Sequence, residues 1–484
     1  MSSVDDLDAF AFGGSDDGDD DQKQEPSDED APDAHQQAAI DAVLLRLENV
    51  FVTGPAGSGK SYTLRYIVDG CRARNRSVAV TSSTGRSAVE LGLGSTTLHS
   101  FLALGDTGDR QTKAYVSQLE TKEFQEHRMR IATTDVLVID EVSMLSSATL
   151  MKFERIVASI RRDTKTPWGG MQVVFSGDFA QLRPVPPRVT SGKRKSSSST
   201  TTTATQLAFH APMAWQQAHV LMCSLTELHR QADDETYGSL LDRVRFAEHT
   251  AADIATIRER IITARRAREL ADSSVFLFSR NAQVDEHNAT RLAELDADSA
   301  RTYDADEIIS IKPNKPNKKR TTGIIREAAR KFIRQSMRAL PTLEIRIGAR
   351  VMLLANLDVA NGLANGSTGT VTGFASGYPV VDFDCGRANV SVKEKEWTFD
   401  DLEWHGSYTQ VPLVLAWATS IHKSQGLTLD SLVADLSPRS CFSAGMAYVV
   451  MSRVRNIDSL YLTAFSSSAI YADADMLAFY RDAA

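Results

Sequence analysis

The eight residues Gly54-Pro55-Ala56-Gly57-Ser58-Gly59-Lys60-Ser61 follow the pattern G-x-x-x-x-G-K-S. They stand between an apolar run, Val50–Thr53, and a stretch with helical patterning from Tyr62 to about Cys71. A glycine-rich loop between strand and helix can surround phosphates with backbone N–H groups. Its lysine reaches the β and γ phosphates, and its serine hydroxyl ligates Mg²⁺. A second feature, this one acidic, complements it. Asp140-Glu141 follows directly on the apolar strand ending at Ile139, which places Asp140 to bind Mg²⁺ and Glu141 to polarise an attacking water. The two motifs together define a nucleoside triphosphatase.

Three further residues can sense the γ-phosphate. Gln181 lies just beyond Gly177-Asp178 at the end of another apolar strand, and Arg230 and Arg453 lie far from Lys60 in the second half. Arginine stabilises charge on a transferring phosphoryl group. If both arginines reach across a cleft, hydrolysis closes and reopens two domains.

The elements that must position these residues follow from the pattern. Short apolar strands at Val50–Thr53, Ser77–Val80, Asp135–Ile139 and Met171–Phe175 alternate with helices. This predicts a parallel α/β sheet covered on both faces, with the polar clusters at the strands' carboxyl ends. A second α/β unit is predicted from Leu225, with strands at Val275–Phe278, Ile345–Leu354, Val411–Ala418 and Ser459–Ala464. Short strands and turns over 366–410 predict a small β-barrel inserted in that unit. Residues 189–205 carry a Ser/Thr run and read as a surface linker.

Composition narrows the class. The chain has 484 residues, enough for two or three packed domains, and Gly and Pro together number 42, which excludes a collagen-like chain. Residues 1–34 hold 13 of the 62 acidic side chains and one lysine, so the rest is mildly basic within a net charge of -8. That acidic segment reads as a disordered tail. No long apolar stretch and no signal-like N-terminus is present, so neither a membrane span nor secretion is expected. Cys71, Cys223, Cys385 and Cys441 are too far apart for a CxxC motif and read as reduced thiols.

Beyond the phosphate loop, ordered blocks carry a family resemblance. They include Ser82–Ala88, Gly94–Phe101, Val138–Met144, Met151–Phe175 with Trp168-Gly-Gly-Met-Gln172, and Gly177–Val185. In the second half come Leu225–Gln231, Phe278–Asn288, Gly348–Asp358, Asn365–Gly369, Ala418–Leu429 and Ala447–Val454. From about residue 35 to 465 the chain resembles the PIF (petite integration frequency) family of DNA helicases, in superfamily one, subclass B. The resemblance implies two RecA-like parallel-sheet domains in tandem, with an SH3-like barrel inserted in the second. It divides the chain into domain 1A at 35–224, domain 2A at 225–365 and 411–484, and domain 2B at 366–410. A strand-separating 1B wedge falls near 100–130.

The activity implied is ATP-dependent 5′→3′ translocation on single-stranded DNA with duplex unwinding, in replication, repair, recombination or telomere maintenance. ATP and Mg²⁺ are the implied cofactors. Gln37 resembles the adenine-reading glutamine, Tyr62 joins the nucleotide contacts, and Arg230 and Arg453 resemble the arginine fingers. Thr84, His99, Ser100, His422, Ser424 and Gln425 resemble residues that grip single-stranded DNA or couple it to ATP. Phe101 and Tyr448 are aromatic candidates for base stacking. The implied partners are single-stranded and forked DNA, with a single-strand-binding protein or replication and repair factors beside them, and the helicase itself is expected to be a monomer. The compartment implied is nuclear in a eukaryote or virus and cytoplasmic in a bacterium or phage, since no basic presequence points to the mitochondrion. Three departures stand out: Arg183 where many relatives have proline, Thr81-Ser-Ser-Thr-Gly85 in place of Ala-Pro-Thr-Gly, and His229 where an aromatic often precedes the arginine. A rival reading keeps every ATP residue but makes the chain a DNA-stimulated translocase that remodels protein–DNA complexes with little unwinding.

Overall fold

Asp33 caps the first helix, α1 (Ala34–Leu44): its carboxylate accepts from the N–H groups of His35 and Gln36, while the Gln36 side chain accepts from the Asp33 N–H. This reciprocal arrangement satisfies donors that the first turn leaves open. The computed structural model describes residues 31–83, 91, 93–102, 125–184, 206–311, 319–337, 339–355, 357–358, 363, 365–400 and 404–482. Thr84, residues 1–30, residues 103–124 of the expected wedge and the 189–205 segment lie outside the described residues.

The first domain continues through β1 (Val50–Thr53), α2 (Lys60–Ala73), β2 (Val78–Ser82), β3 (Thr96–Thr97), α3 (Leu98–Phe101), α4 (Gln125–Thr133), β4 (Val136–Asp140), α5 (Ser147–Ile160), β5 (Gln172–Gly177) and β6 (Leu221–Ser224). These strands form one parallel sheet in the order β3-β2-β4-β5-β1-β6. Alternate side chains of a strand point to opposite faces, and the two cores follow that rule. Val50, Val52, Val136, Val138 and Val174 pack with α1 and α2, whereas Phe51, Leu137, Ile139, Val173 and Phe175 pack with α5, Trp168 and Trp215. Every residue of β1, β4 and β5 is buried, which is why these strands read as unbroken apolar runs.

The second half runs through α6 (Glu235–Arg245), α7 (Ala251–Arg258), α8 (Ala264–Glu269), β7 (Val275–Phe278), α9 (Asn281–Ala293), β8 (Arg301–Asp304), β9 (Asp306–Ile311), α10 (Lys319–Ser336), β10 (Thr342–Ile345), β11 (Arg350–Leu353), β12 (Thr368–Ala375), β13 (Tyr378–Phe383), β14 (Val390–Ser391), β15 (Lys395–Asp400), β16 (Trp404–Gln410), β17 (Leu413–Leu415), β18 (Ala418–Ser420), α11 (Ile421–Ser424), β19 (Leu432–Leu436), α12 (Met446–Met451), β20 (Leu460–Phe465) and α13 (Ala474–Asp482). A second parallel sheet has the order β18-β7-β19-β20. Between β7 and β18 the strands pair antiparallel, in sheets ordered β14-β13-β12-β11-β17, β15-β16-β9 and β10-β8.

Two expected boundaries change. The antiparallel region extends from Arg301 to Leu415, well beyond 366–410, because β9 pairs with β16 and β11 pairs with both β12 and β17. The stretch Ile345–Leu354 therefore belongs to this insert and not to the second parallel sheet. Its strand β9 alternates exposed and half-buried residues, so it lacks the apolar run that marks a central strand. The C-terminal segment also departs from the 411–484 assignment. After β20 the chain returns to the first domain, where Met476 and Tyr480 join the core around Phe51 and Phe179.

Among the described residues no helix is long and apolar enough to cross a membrane, and no disulfide joins the cysteines. Helix α6, which leads from the first domain into the second, is stapled to α7 by Asp253. That carboxylate accepts from Arg243 Nε and Nη2 at 2.8 and 2.6 Å and completes a capping box with Thr250. The Arg243 bonds hold the Asp253 carboxyl well below the usual carboxylate range. A depressed carboxylate stabilises the fold above its unfolded pKa, and that stabilisation is lost as pH falls toward its folded value. Asp253→Asn is expected to lower unfolding stability at pH 7 by about 1 kcal/mol. In urea titrations the gap from the parent chain should narrow below about pH 4, and a gap of constant size down to pH 3 would contradict the assignment.

Candidate active site

The phosphate loop forms where β1 ends and α2 begins, at the carboxyl edge of the first sheet. Gly59 is the N-cap of α2 with φ of 80°, a left-handed conformation that glycine adopts without strain. A Cβ there would lie 2.4 Å from Gln36 Nε2 and 3.3 Å from the His229 ring. The loop is therefore hemmed in by α1 on one side and by the segment Leu225–Gln231 on the other. His229 N–H donates to Gly57 O at 3.1 Å, and Ala56 N–H donates to the Tyr448 hydroxyl at 2.8 Å. A cavity of about 1180 Å³ opens beside the loop, lined by Gly54, Pro55, His229, Gln231, Arg245 and Tyr480 among others.

Lys60 lies back over this loop, its Nζ donating to Gly54 O at 2.9 Å and Pro55 O at 2.8 Å. Burial pushes its pKa down to about 8, opposed by the negative charges of Asp178, Glu141 and Asp140. Ser61 follows it, exposed at the start of α2. Asp140 ends β4 and is buried, so Ser61 and Asp140 supply hard oxygen donors of the kind Mg²⁺ takes. Glu141 has φ of 52°, an uncommon conformation for a residue with a side chain. Its Oε2 accepts from Gln425 Nε2 at 3.1 Å. That contact joins the expected hydrolytic carboxylate to the second domain. Gln181 lies just beyond β5, buried, and Gly445 presses so close that a Cβ there would sit 2.5 Å from Ala180 O and 2.8 Å from Gln181 O.

The two arginines come together. Arg230 Nη1 donates to Ser452 O at 3.0 Å, and Arg453 Nη2 donates to Ser452 Oγ at 2.7 Å. Arg453 is buried, with Nε on Val449 O. Burial pushes Arg230 down to about 10, which leaves it cationic at neutral pH. Arg230 also flanks the phosphate loop, since a Cβ on Gly57 would meet the Arg230 Cβ at 2.4 Å. The groups able to neutralise a triphosphate thus come from both halves of the chain.

Several expected residues stand elsewhere. Gln37 is exposed and donates to Asp41 Oδ1 along the helix surface. The glutamine that faces the loop is Gln36, one position earlier and about 100° around the helix, with Nε2 3.3 Å from His229 Nε2. The capping pattern Asp33-x-x-Gln36 is the signal that singles it out in the sequence. Ser424 is fully buried and donates to Ile421 O, so it holds α11 together and does not face DNA. Phe101 and Tyr448 are core residues, and their rings are not available for base stacking. The Tyr62 hydroxyl donates to the Tyr66 hydroxyl at 2.9 Å. His99 stays exposed beside Phe153, Ser100 accepts from the Thr97 hydroxyl, and His422 is half-buried, with burial lowering its pKa.

A centre with no counterpart in the expected set lies beneath the loop. Asp178, fully buried, accepts from Arg245 Nη2 at 2.9 Å and from the Tyr480 hydroxyl at 3.3 Å. Nothing in the spacing of these three residues links them, because their partners come from three distant segments.

The burial of Lys60 sets a pH dependence. A folded-state pKa lowered below the unfolded value means that the protonated amine costs stability below about pH 8, and that cost disappears as pH rises toward 10.5. A bound phosphate favours the protonated form. Triphosphate affinity, measured by fluorescence titration of a nucleotide analogue, is expected to be flat from pH 6.5 to 7.5 and to fall above about pH 8. Lys60→Arg should abolish that fall, and an unchanged pH profile in that variant would contradict it.

Comparison with known proteins places this site in context. Residues 33–250 match a model described as "PIF1-like helicase", and residues 333–374 match "DNA helicase Pif1, 2B domain". The second match starts upstream of residue 366, as the wider antiparallel insert does. The ATP-dependent DNA helicase PIF1 of Danio rerio is 34% identical over 92% of this chain, which spans 63% of that relative's length. The ATP-dependent DNA helicase Pif1 of Psychrobacter sp. is 31% identical, covering 90% of this chain and 69% of that protein. A crystal structure of Bacteroides Pif1 helicase in complex with ADP-AlF3 and single-stranded DNA superposes with a TM-score of 0.60 at 27% identity, over 93% of this chain and 96% of that one. Tandem RecA-like domains with an antiparallel insert agree with that likeness. The chain belongs to the PIF1-like helicase family.

Proposed function

We propose that the chain is an ATP-dependent DNA helicase that translocates 5′→3′ on single-stranded DNA and unwinds duplex DNA in replication, repair or recombination. The observation that carries this reading is the Gln425–Glu141 hydrogen bond. It links a block that resembles the family's DNA-coupled residues to the carboxylate that activates water. The relatives are named ATP-dependent DNA helicases, and the Bacteroides structure holds a nucleotide analogue and single-stranded DNA.

In this reading Gln36 reads the adenine edge, and the loop N–H groups with Lys60 receive the phosphates. Ser61 and Asp140 would hold Mg²⁺, which would neutralise phosphate charge. Glu141 accepts the proton of the attacking water, while Arg230, Arg453 and Gln181 stabilise and sense the γ-phosphate. No covalent intermediate is needed, because positioning and charge carry phosphoryl transfer. Closure of the two domains on ATP and their release after hydrolysis then move the chain along one strand, with His99, Ser100 and His422 on the DNA side. Single-strand tracking of this kind is weakly sequence-specific.

Two measurements test it. With ATP and Mg²⁺, a duplex bearing only a 5′ tail should open and one bearing only a 3′ tail should not, with no opening by Lys60→Ala. Vigorous DNA-stimulated hydrolysis that opens neither duplex would instead favour the remodelling translocase. Gln425→Ala is expected to keep nucleotide affinity within about twofold but cut DNA stimulation of hydrolysis about tenfold. Equal stimulation in variant and parent would remove the coupling role.

A further inference from the structure

The C-terminal helix reaches the site from an unexpected direction. Strand β20 lies in the second parallel sheet, yet α13 packs on the first domain. Phe479 stacks on Phe209 with centroids 4.3 Å apart and meets Phe179 edge-on at 5.4 Å. The segment joining β20 to α13 therefore spans the two domains.

What α13 grips is the loop Gly177–Arg183, which carries Gln181. At the start of the loop, the Tyr480 hydroxyl accepts from Phe179 N–H at 3.2 Å and donates to Asp178 Oδ1 at 3.3 Å. The same hydroxyl shares a 2.7 Å hydrogen bond with Thr53 Oγ1, the residue before Gly54. Arg245 lies over the Tyr480 ring at 5.2 Å and pairs with Asp178. At the far end of the loop, Arg183 forms an ion pair with Asp473, with Asp475 at 3.8 Å. Burial pushes the Tyr480 phenol well up, so it stays a neutral donor and acceptor.

We propose that α13 is a strap that positions the γ-phosphate-sensing loop, with Tyr480 and the Arg183–Asp473 pair as its two anchors. Tyr480 ties the strand end before the phosphate loop to the strand end before Gln181. Those two ends must keep register for Gln181 to meet the phosphate that Lys60 holds. The second anchor is the ion pair of Arg183 with Asp473, the residue just ahead of α13. Because the strap enters from the second sheet, movement of that domain is transmitted to the sensing loop. Tyr480 and Arg183 are positioning residues, since neither touches the reacting atoms.

The inference rests on the helicase reading, and the test separates the two. DNA-stimulated ATP hydrolysis is measured for the full chain, for Tyr480→Phe, for Arg183→Asp and Asp473→Arg singly, and for the charge-swapped pair. Tyr480→Phe removes one hydroxyl and keeps the ring, so the thermal midpoint is expected to stay within a few degrees. Its kcat should fall about tenfold with KM within about twofold. Each charge reversal should lower kcat, and the swapped pair should recover most of it. Unchanged kcat in Tyr480→Phe, or a swapped pair no better than either single variant, would overturn the strap while leaving the helicase reading standing. A loss of kcat matched by an equal loss of folded protein would also overturn it. A parent chain that hydrolyses no ATP with DNA present would overturn the helicase reading and the strap with it.

Discussion

A polyphosphate drawn into a protein crevice must exchange its water for donors and cations on every side, because a buried charge left unpaired is prohibitively costly. One sheet edge cannot meet that demand. Here the first domain offers Lys60 and loop N–H groups, while Arg230, from the segment after β6, and Arg453, just after α12, both donate to Ser452. The rest of the architecture follows from having to bring these groups together. The arginines are held by backbone carbonyls, and Gln425 spans the boundary to Glu141.

Rigidity on the first domain's side comes from its core. Alternate residues of β1, β4 and β5 serve two separate apolar clusters, so neither strand end that borders the phosphate can shift without disturbing both. Beneath the loop, Asp178 and Arg245 are buried together, and removing either partner would strand the other charge. That pair fixes α6, and with it the path from the first domain to the second. The left-handed backbone at Glu141 adds local strain at the residue expected to activate water.

The phosphate loop, Asp140-Glu141, Gln181 and the parallel strands were legible because each is a local pattern: a loop between strand and helix, or an apolar run ending in polar residues. The insert was harder to bound. Its strand β8 is exposed at three of four positions and β9 alternates exposed and half-buried residues, so Arg301–Ile311 carries no fully buried core run to mark it. Gln36 and Gln37 are neighbours of one type, and only the helix cap decides which faces the loop. Ser424 and Tyr448 sit in blocks rich in functional residues, and burial, which no spacing reveals, separates them from the surface. The return of α13 to the first domain depends on a contact between Tyr480 and Thr53, 427 positions apart.

In the proposed mechanism, hydrolysis of bound nucleotide needs cations from both domains. The most direct measurement is single-turnover ATP hydrolysis with single-stranded DNA by Arg230→Ala and Arg453→Ala, alongside nucleotide affinity for each. Affinity is expected to stay within about tenfold of the parent, with hydrolysis slowed by about a thousandfold in either variant. Hydrolysis at the parent rate in both variants, with the nucleotide bound, would show that the first domain works alone and would contradict it.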